Sequence, residues 1–380
     1  MLKNMKKSTK SNIITYGLVI VAYIIMQALV SSGSISNLIQ GLLVPLCAYS
    51  ILAVSLNLTV GILGELSLGH AGFMCVGAFV SASFSKINAT SIENDLLRFI
   101  LAIIIAAVCA GIIGVLIGIP VLRLKGDYLA IVTLAFGEII KNIMNVIYLG
   151  VDSKGLHFCI TKASDLNMEK DGVIIINGAT GITGTPHSSN FTIGIILLLI
   201  TLFIVLNLIN SRAGRAIMSV RDNSIAAESI GIDITKYKML AFSISAMLAG
   251  VAGALYSHNL STLAATSKNF GYNMSIMILV FVVLGGIGNI RGSIIAAVIL
   301  TLLPELLRSL NDYRMLMYAI LLIALMLFNS SPAGINFRER YNLGRLFKKN
   351  KAGSGVDLTV QTGTQRGHHV EGMKDNKRGV

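Results

Sequence analysis

The chain of 380 residues is 54% apolar and only 13% charged, with 37 Gly, 5 Pro and no Trp, a charged share about half that of a soluble domain. So little charge cannot cover a water-facing surface, which excludes a soluble enzyme or binding module and reads as an all-α polytopic membrane protein solvated by lipid. The net charge of +13 raises nucleic acid as a partner, but the basic residues gather at the chain ends and in short breaks between apolar runs, so no nucleic acid is expected.

Residues 1–12 form a basic N-terminus with Lys3, Lys6, Lys7 and Lys10. The apolar run from Ile13 to Val30 is too long for a signal peptide and lacks a small-residue cleavage pattern, so it is retained as a first span. A bilayer core takes about 20 helical residues. About ten segments qualify: 13–30, 37–58, 66–85, 98–120, 127–148, 191–210, 238–257, 272–289, 292–308 and 313–329. With the N-terminus in the cytoplasm, most of the 31 Lys and Arg fall inside, among them Arg123, Lys125, Arg212, Arg215, Arg221, Lys236, Lys238 and Arg291, as the positive-inside rule requires. An even number of spans keeps the basic C-terminal end inside too, so both termini are placed in the cytoplasm. The transmembrane domain is then 13–337, with an outside loop at 149–190 and an inside segment at 211–237. Residues 338–380 are basic, Gly-rich and short of apolar residues, a cytoplasmic tail expected to be disordered. Cys47, Cys75 and Cys109 fall in apolar runs and Cys159 in the loop, which gives neither a disulfide framework nor a metal spacing.

Within residues 57–80, Gly61, Gly64, Gly69, Gly72 and Gly77 allow close helix approach or an interrupted helix, with the break expected at 59–65. A charge at the bilayer centre costs about 2.5–3.5 kcal/mol or more. Glu65 is therefore expected at the cytoplasmic interface and hydrated. His70 is expected as a neutral imidazole bonded to a neighbouring helix rather than as a proton relay. In the run Gly126 to Lys141, Asp127 suits the positive end of a helix. Glu138 and Lys141 lie three apart on one helix face; they line a path or staple two helices. Asn57 and Thr133 carry the same two readings, translocation path or helix packing.

In the inside segment, Asp222 or Asn223 can cap a short helix and Gly231 is a natural left-handed stop. About two turns lie between, with Ile225, Ala226, Ala227 and Ile230 apolar and Glu228 polar. Such a helix can dock into a partner's groove or simply connect two spans. No P-loop is present, so the chain does not bind ATP through one of its own, and no catalytic triad or metal motif appears. The chain is read as a non-enzyme.

Four stretches carry a family resemblance: Leu66-Ser-Leu-Gly-His-Ala-Gly-Phe73, the long run Pro120 to Glu138, Gly214-Arg-Ala with Arg221-Asp, Ala226-Ala and Gly231-Ile, and Val283-Leu-Gly-Gly-Ile-Gly288. Over residues 38–335 the chain resembles the LivM family, permease subunits of branched-chain amino acid ABC importers. The run 120–138 is the specific part. The resemblance implies a type II ABC importer permease fold in the bacterial cytoplasmic (inner) membrane, paired with a second, LivH-like permease. It also implies two cytoplasmic ATPases, which hold the ATP and Mg, and an extracytoplasmic substrate-binding protein; no cofactor falls to this chain. By position, 222–231 becomes the coupling helix, with Arg215, Arg221, Asp222, Ala226, Ala227, Glu228 and Gly231 as its contact residues. The outside loop is longer than the family pattern before its Gly/Thr-rich end at 178–186, and the tail beyond Phe337 has no counterpart. Urea or short amides are an alternative substrate class. A rival of another kind is an ion-coupled secondary transporter with Glu138, Lys141 and His70 as its relay.

Overall fold

The structure is a computed structural model and describes residues 7–33, 36–89, 91–124, 126–152, 155–166, 168, 172–308 and 313–330. By internal contacts the chain separates into Met1–Leu327 and Phe328–Val380; of the second unit only the end of the last helix is described. The predicted tail 338–380 and the first six residues lie outside the described residues.

The helices are α1 (Lys7–Ser31), α2 (Asn37–Asn57), α3 (His70–Ile87), α4 (Asp95–Val121), α5 (Asp127–Val146), α6 (Phe191–Asn210), α7 (Arg212–Asp222), α8 (Ser224–Ser229), α9 (Ile234–Ser257), α10 (Ser267–Phe270), α11 (Tyr272–Gly285), α12 (Ile290–Leu306) and α13 (Arg314–Ser330). Each predicted span overlaps one of them, with ends displaced by up to six residues. Among the described residues, seven helical stretches are long and apolar enough to cross a membrane. The other three are α3, which carries His70, three serines and Lys86, and α12 and α13, each of 17 residues. Two breaks are displaced from their expected places. The α2 helix continues through a buried π-helical turn, Leu58–Leu63, to Gly64 at φ 82°, so the chain opens at 64–69 rather than 59–65. The gap expected at 290–291 is a turn at 286–289, where Gly286 and Gly288 take φ 92° and 80° and Asn289 caps α12. Only glycine enters that left-handed region without strain.

Small residues set the packing. A Cβ on Gly77 would fall onto the backbone of Gly250, and one on Gly72 would stand 2.8 Å from the Gly137 Cα. The α3 and α9 backbones therefore touch, as small-residue interfaces permit. Gly77 with Gly250, Ser81 with Ser257 and Ser85 with His258 ascend together, so these two helices run parallel. On its other side α9 packs on α4, where Gly111 faces Met247 and Gly114 faces Ala246. By contrast α1 is the least covered of those seven, with 11% of its apolar stretch buried.

The fold is not all-α. The predicted outside loop contains three antiparallel strands, β1 (Tyr148–Asp152), β2 (Gly155–Cys159) and β3 (Val173–Asn177), in the order β2-β1-β3. Where the first two strands meet, the Gly155 amide donates to Asp152 Oδ1 at 3.1 Å. A short pair, β4 (Ile182–Thr183) with β5 (Thr262–Leu263), ties the loop to the segment after α9. Lys86, at the end of α3, donates to the carbonyls of Ile174 and Thr183. The β-branched run Val173-Ile-Ile-Ile suits a strand, but the polar residues before it mask the pattern.

Candidate functional site

The segment 211–237 folds into α7, α8 and the first turn of α9, where the sequence marked one short helix. Ser211 caps α7 by accepting from the Gly214 amide at 3.1 Å, and Asn223 caps α8 by accepting from the Ala226 amide at 3.0 Å. Gly231, at φ 86°, ends the turn, and Asp233 caps α9 by accepting from the Lys236 amide. At each of these helix starts one orphan donor thus finds a side chain. Gly214, Ile217, Val220 and Ala227 face inward and are buried. Ala227, placed by sequence among the contact residues, is therefore part of the internal packing. Arg215, Arg221, Asp222, Ala226, Glu228 and Gly231 are exposed. Beside them stand Ile225 and Ile230, 80% and 74% exposed, which sequence reading left out of the contact set. Full burial of such a side chain is worth about 1.5–3 kcal/mol, so this apolar pair favours a partner surface over water.

Arg221 joins this surface to the broken span. Its Nη1 donates to the Gly61 carbonyl at 3.0 Å, while Nε and Nη2 donate to Asp222 Oδ1 at 3.0 and 2.8 Å. A helix end leaves carbonyls unsatisfied and negative, and a guanidinium answers both needs. Its aliphatic stem lies over Gly64, where an added Cβ would come within 2.5 Å of Arg221 Cγ. Glu65 is not a freely hydrated group: it pairs with Lys238 of α9, their side chains 15% and 14% exposed. A carboxylate covered to that degree requires a counter-charge. These residues, with Asn223 and Ser224, line an open polar pocket of about 370 Å³.

The remaining polar candidates are dispersed through the bundle. Asn57 is fully buried; its Nδ2 donates to Ser293 Oγ and its Oδ1 accepts from the Gly288 amide, both at 2.8 Å. It clamps α2 to α12 and the turn before it. His70 Nε2 lies 2.9 Å from Ser245 Oγ, and that hydroxyl donates to the Ser55 carbonyl at 2.5 Å. With its one proton so used, Ser245 accepts from His70, which makes His70 the Nε2–H tautomer. Thr133 Oγ1 accepts from the Leu68 amide at 3.0 Å and pins the 64–69 break to α5. Lys141 pairs with Glu138 and donates to Ser267 Oγ at 3.0 Å, and Glu138 Oε1 accepts from the Tyr272 amide at 2.6 Å. The carboxylate thus caps α11, and the pair fastens α5 to α10 and α11. No hydrogen bond or ion pair joins His70 to Glu138 or Lys141 among the described residues, so the three are not assembled as a relay. No cluster of three or more His, Cys, Asp or Glu forms among the described residues either.

Residues 38–328 match the family described as branched-chain amino acid transport system / permease component. The chain is 33% identical over 297 residues to the high-affinity branched-chain amino acid transport system permease protein LivM of Salmonella typhimurium, covering 76% of this chain and 67% of that protein. Identity to LivM of Escherichia coli K12 is the same, over the same shares. The LivH permease protein of Escherichia coli K12 is 23% identical over 299 residues, 76% of this chain and 90% of that one. No solved structure matches the chain.

Proposed function

The chain belongs to the branched-chain amino acid transport permease family, and on that footing we propose how it works and what it carries. It is a multi-pass membrane permease subunit of an ABC importer. Its substrate is a branched-chain amino acid, the cargo in the names of its LivM relatives. It sits in the bacterial inner membrane beside a LivH-like permease, two cytoplasmic ATPases that bind ATP and Mg, and an extracytoplasmic binding protein. The ATPases act on α7 and α8. The observation that carries this reading is Ile225 and Ile230, exposed on a capped helix that Arg221 ties to the π turn of α2. A push there reaches α2 through Arg221 and α9 through Lys238, shifting the balance between two packings of the bundle.

Reconstitution in liposomes tests it. Leucine uptake should require ATP and the ATPase subunits, and persist when ion gradients are dissipated; uptake that survives ATP depletion and collapses with the gradient would overturn it in favour of ion coupling. Glu228→Lys or Gly231→Val should lower uptake per ATP hydrolysed at least tenfold in folded protein. Unchanged coupling would remove α8 from the proposal. Ligand binding to the cognate binding protein separates aliphatic amino acids from urea and short amides.

A further inference from the structure

The helix α1 is held to the bundle by two clamps. Towards the end that carries α7 and α8, Arg291 Nε donates to Thr15 Oγ1 at 2.6 Å, and Thr15 and Val19 are buried. Towards the end that carries the strands, the Tyr23 and Phe191 ring centroids stand 5.4 Å apart, and the Tyr23 and Thr192 hydroxyls share a hydrogen bond at 3.1 Å. Beside the clamps, α1, α2, α6 and α12 leave a cavity of about 210 Å³, walled by residues such as Ala22, Leu43, Cys47, Ile195, Ile295 and Ile299. No charged side chain lines it. Apolar cavities of about 150 Å³ stay dry and accept apolar guests.

At its strand-side end the cavity shares Leu43 and Phe191 with a second pocket of about 380 Å³. Here Gln27, Gln40, Ser189, Asn190, Thr192 and Asn259 converge, again without a charged residue. Ser189 is 9% exposed, and its hydroxyl has no hydrogen-bond partner among the described residues. A buried hydroxyl left unmade costs free energy that a partner restores. Amides and hydroxyls both donate and accept, so this set matches neutral hydroxyl groups, whereas anion recognition calls on Arg or Lys. An apolar slot that opens at a helix-end level onto an uncharged polar pocket has the two-part chemistry of a single lipid.

We propose that this composite cleft binds one glycerolipid with a hydroxyl-bearing headgroup, its acyl chain lying under α1 and its hydroxyls against Ser189, Gln27 and Gln40. The lipid completes the packing between α1 and the bundle. A glycosyl diacylglycerol, with hydroxyls and no charge, has that chemistry; phosphatidylglycerol carries hydroxyls beside an anionic phosphate and serves as the charged comparison.

The full chain, with its partner subunits, is placed in phosphatidylcholine nanodiscs doped with a diazirine-acyl probe: phosphatidylglycerol, diglucosyl diacylglycerol or phosphatidylcholine itself. After photolysis, adducts are mapped by peptide mass spectrometry. Adducts should concentrate on the peptides holding Cys47 and Ile195, at least fivefold more with diglucosyl diacylglycerol than with phosphatidylcholine or phosphatidylglycerol; a lead for phosphatidylglycerol would overturn the neutral-headgroup assignment. Ala22→Trp fills the slot from an exposed α1 position and should cut those adducts at least fivefold without changing the melting temperature. Ile299→Trp repeats the test from the opposite wall should the first variant fail to fold. Adducts spread evenly around the lipid-facing helices, no headgroup preference, or labelling unchanged in a folded variant would overturn the proposal. So would a crosslink showing that a partner permease's helix fills the slot.

Discussion

Two charged clusters in this molecule use the same chemistry to opposite ends. Between α5 and α11, Glu138 and Lys141 face each other, and their remaining polar atoms are taken up by the Tyr272 amide and the Ser267 hydroxyl. At the junction of α7 with the π turn, Arg221, Asp222, Glu65 and Lys238 are also paired, yet they border an open pocket and a surface bearing two bare isoleucines. The first cluster is closed and has one arrangement. In the second, Glu65 and Lys238 are covered like the first pair, but Arg221 and Asp222, 37% and 67% exposed, meet solvent, where water can replace their bond and a new partner can be accommodated. On the proposed function, the closed pair fastens helices, and the groups suited to coupling are those that can exchange partners.

Substitutions should separate the two clusters by where their effect appears. Lys141→Ala strands a carboxylate 23% exposed, and breaking such a pair costs about 3–5 kcal/mol; thermal melting in detergent should drop sharply. Glu138→Gln with Lys141→Met should recover most of that loss, because two neutral groups leave no unpaired charge. At the junction, Glu65→Gln leaves Lys238 beside a wet pocket, and a loss of roughly 1–2 kcal/mol is expected. Arg221→Ala removes the Gly61 bond, but at a half-exposed side chain; about 1 kcal/mol of stability should go, with a larger fall in transport per ATP. Ile225→Glu should leave the melt within about 0.5 kcal/mol of the parent and abolish stimulation of uptake by the ATPases. If Ile225→Glu melted like Lys141→Ala, the distinction between closed and open cluster would collapse.

The sequence carries the helices well because their signal is local. Apolar runs, the Asn and Gly at their ends and the Gly231 stop all act within a turn or two of where they stand. The displaced break at 64–69 follows from the π turn, which adds one residue per turn and has no marker of its own. The three-stranded sheet escaped because Gly, Asp and Lys interrupt its alternation. Among candidate residues, Asn223 and Gly231 were legible as cap and stop. The partners were not: Lys238 lies 173 residues from Glu65, and Arg221 lies 160 from Gly61. A single sequence holds no distance information at that range. Ile225 and Ile230 were read as apolar, but a period of 3.6 cannot say which apolar residues face out when the helix has under two turns.

The glycine contacts of α9 have a mechanical consequence. With Gly77 of α3 seated on Gly250 and Gly250 in turn against Ala106 and Ala110 of α4, the three backbones meet closely at this level, and a tilt of α9 would press on both neighbours. A helix of 24 residues is about 36 Å long at 1.5 Å per residue. A tilt of about 5° at its Asp233 foot would then carry its far end by about 3 Å on that length. That far end is His258, bonded to Ser85 and followed by the strand paired with Ile182 and Thr183. On the proposed coupling through α7 and α8, a nudge at one end of α9 would be felt at the other, with no messenger molecule and no unfolding between.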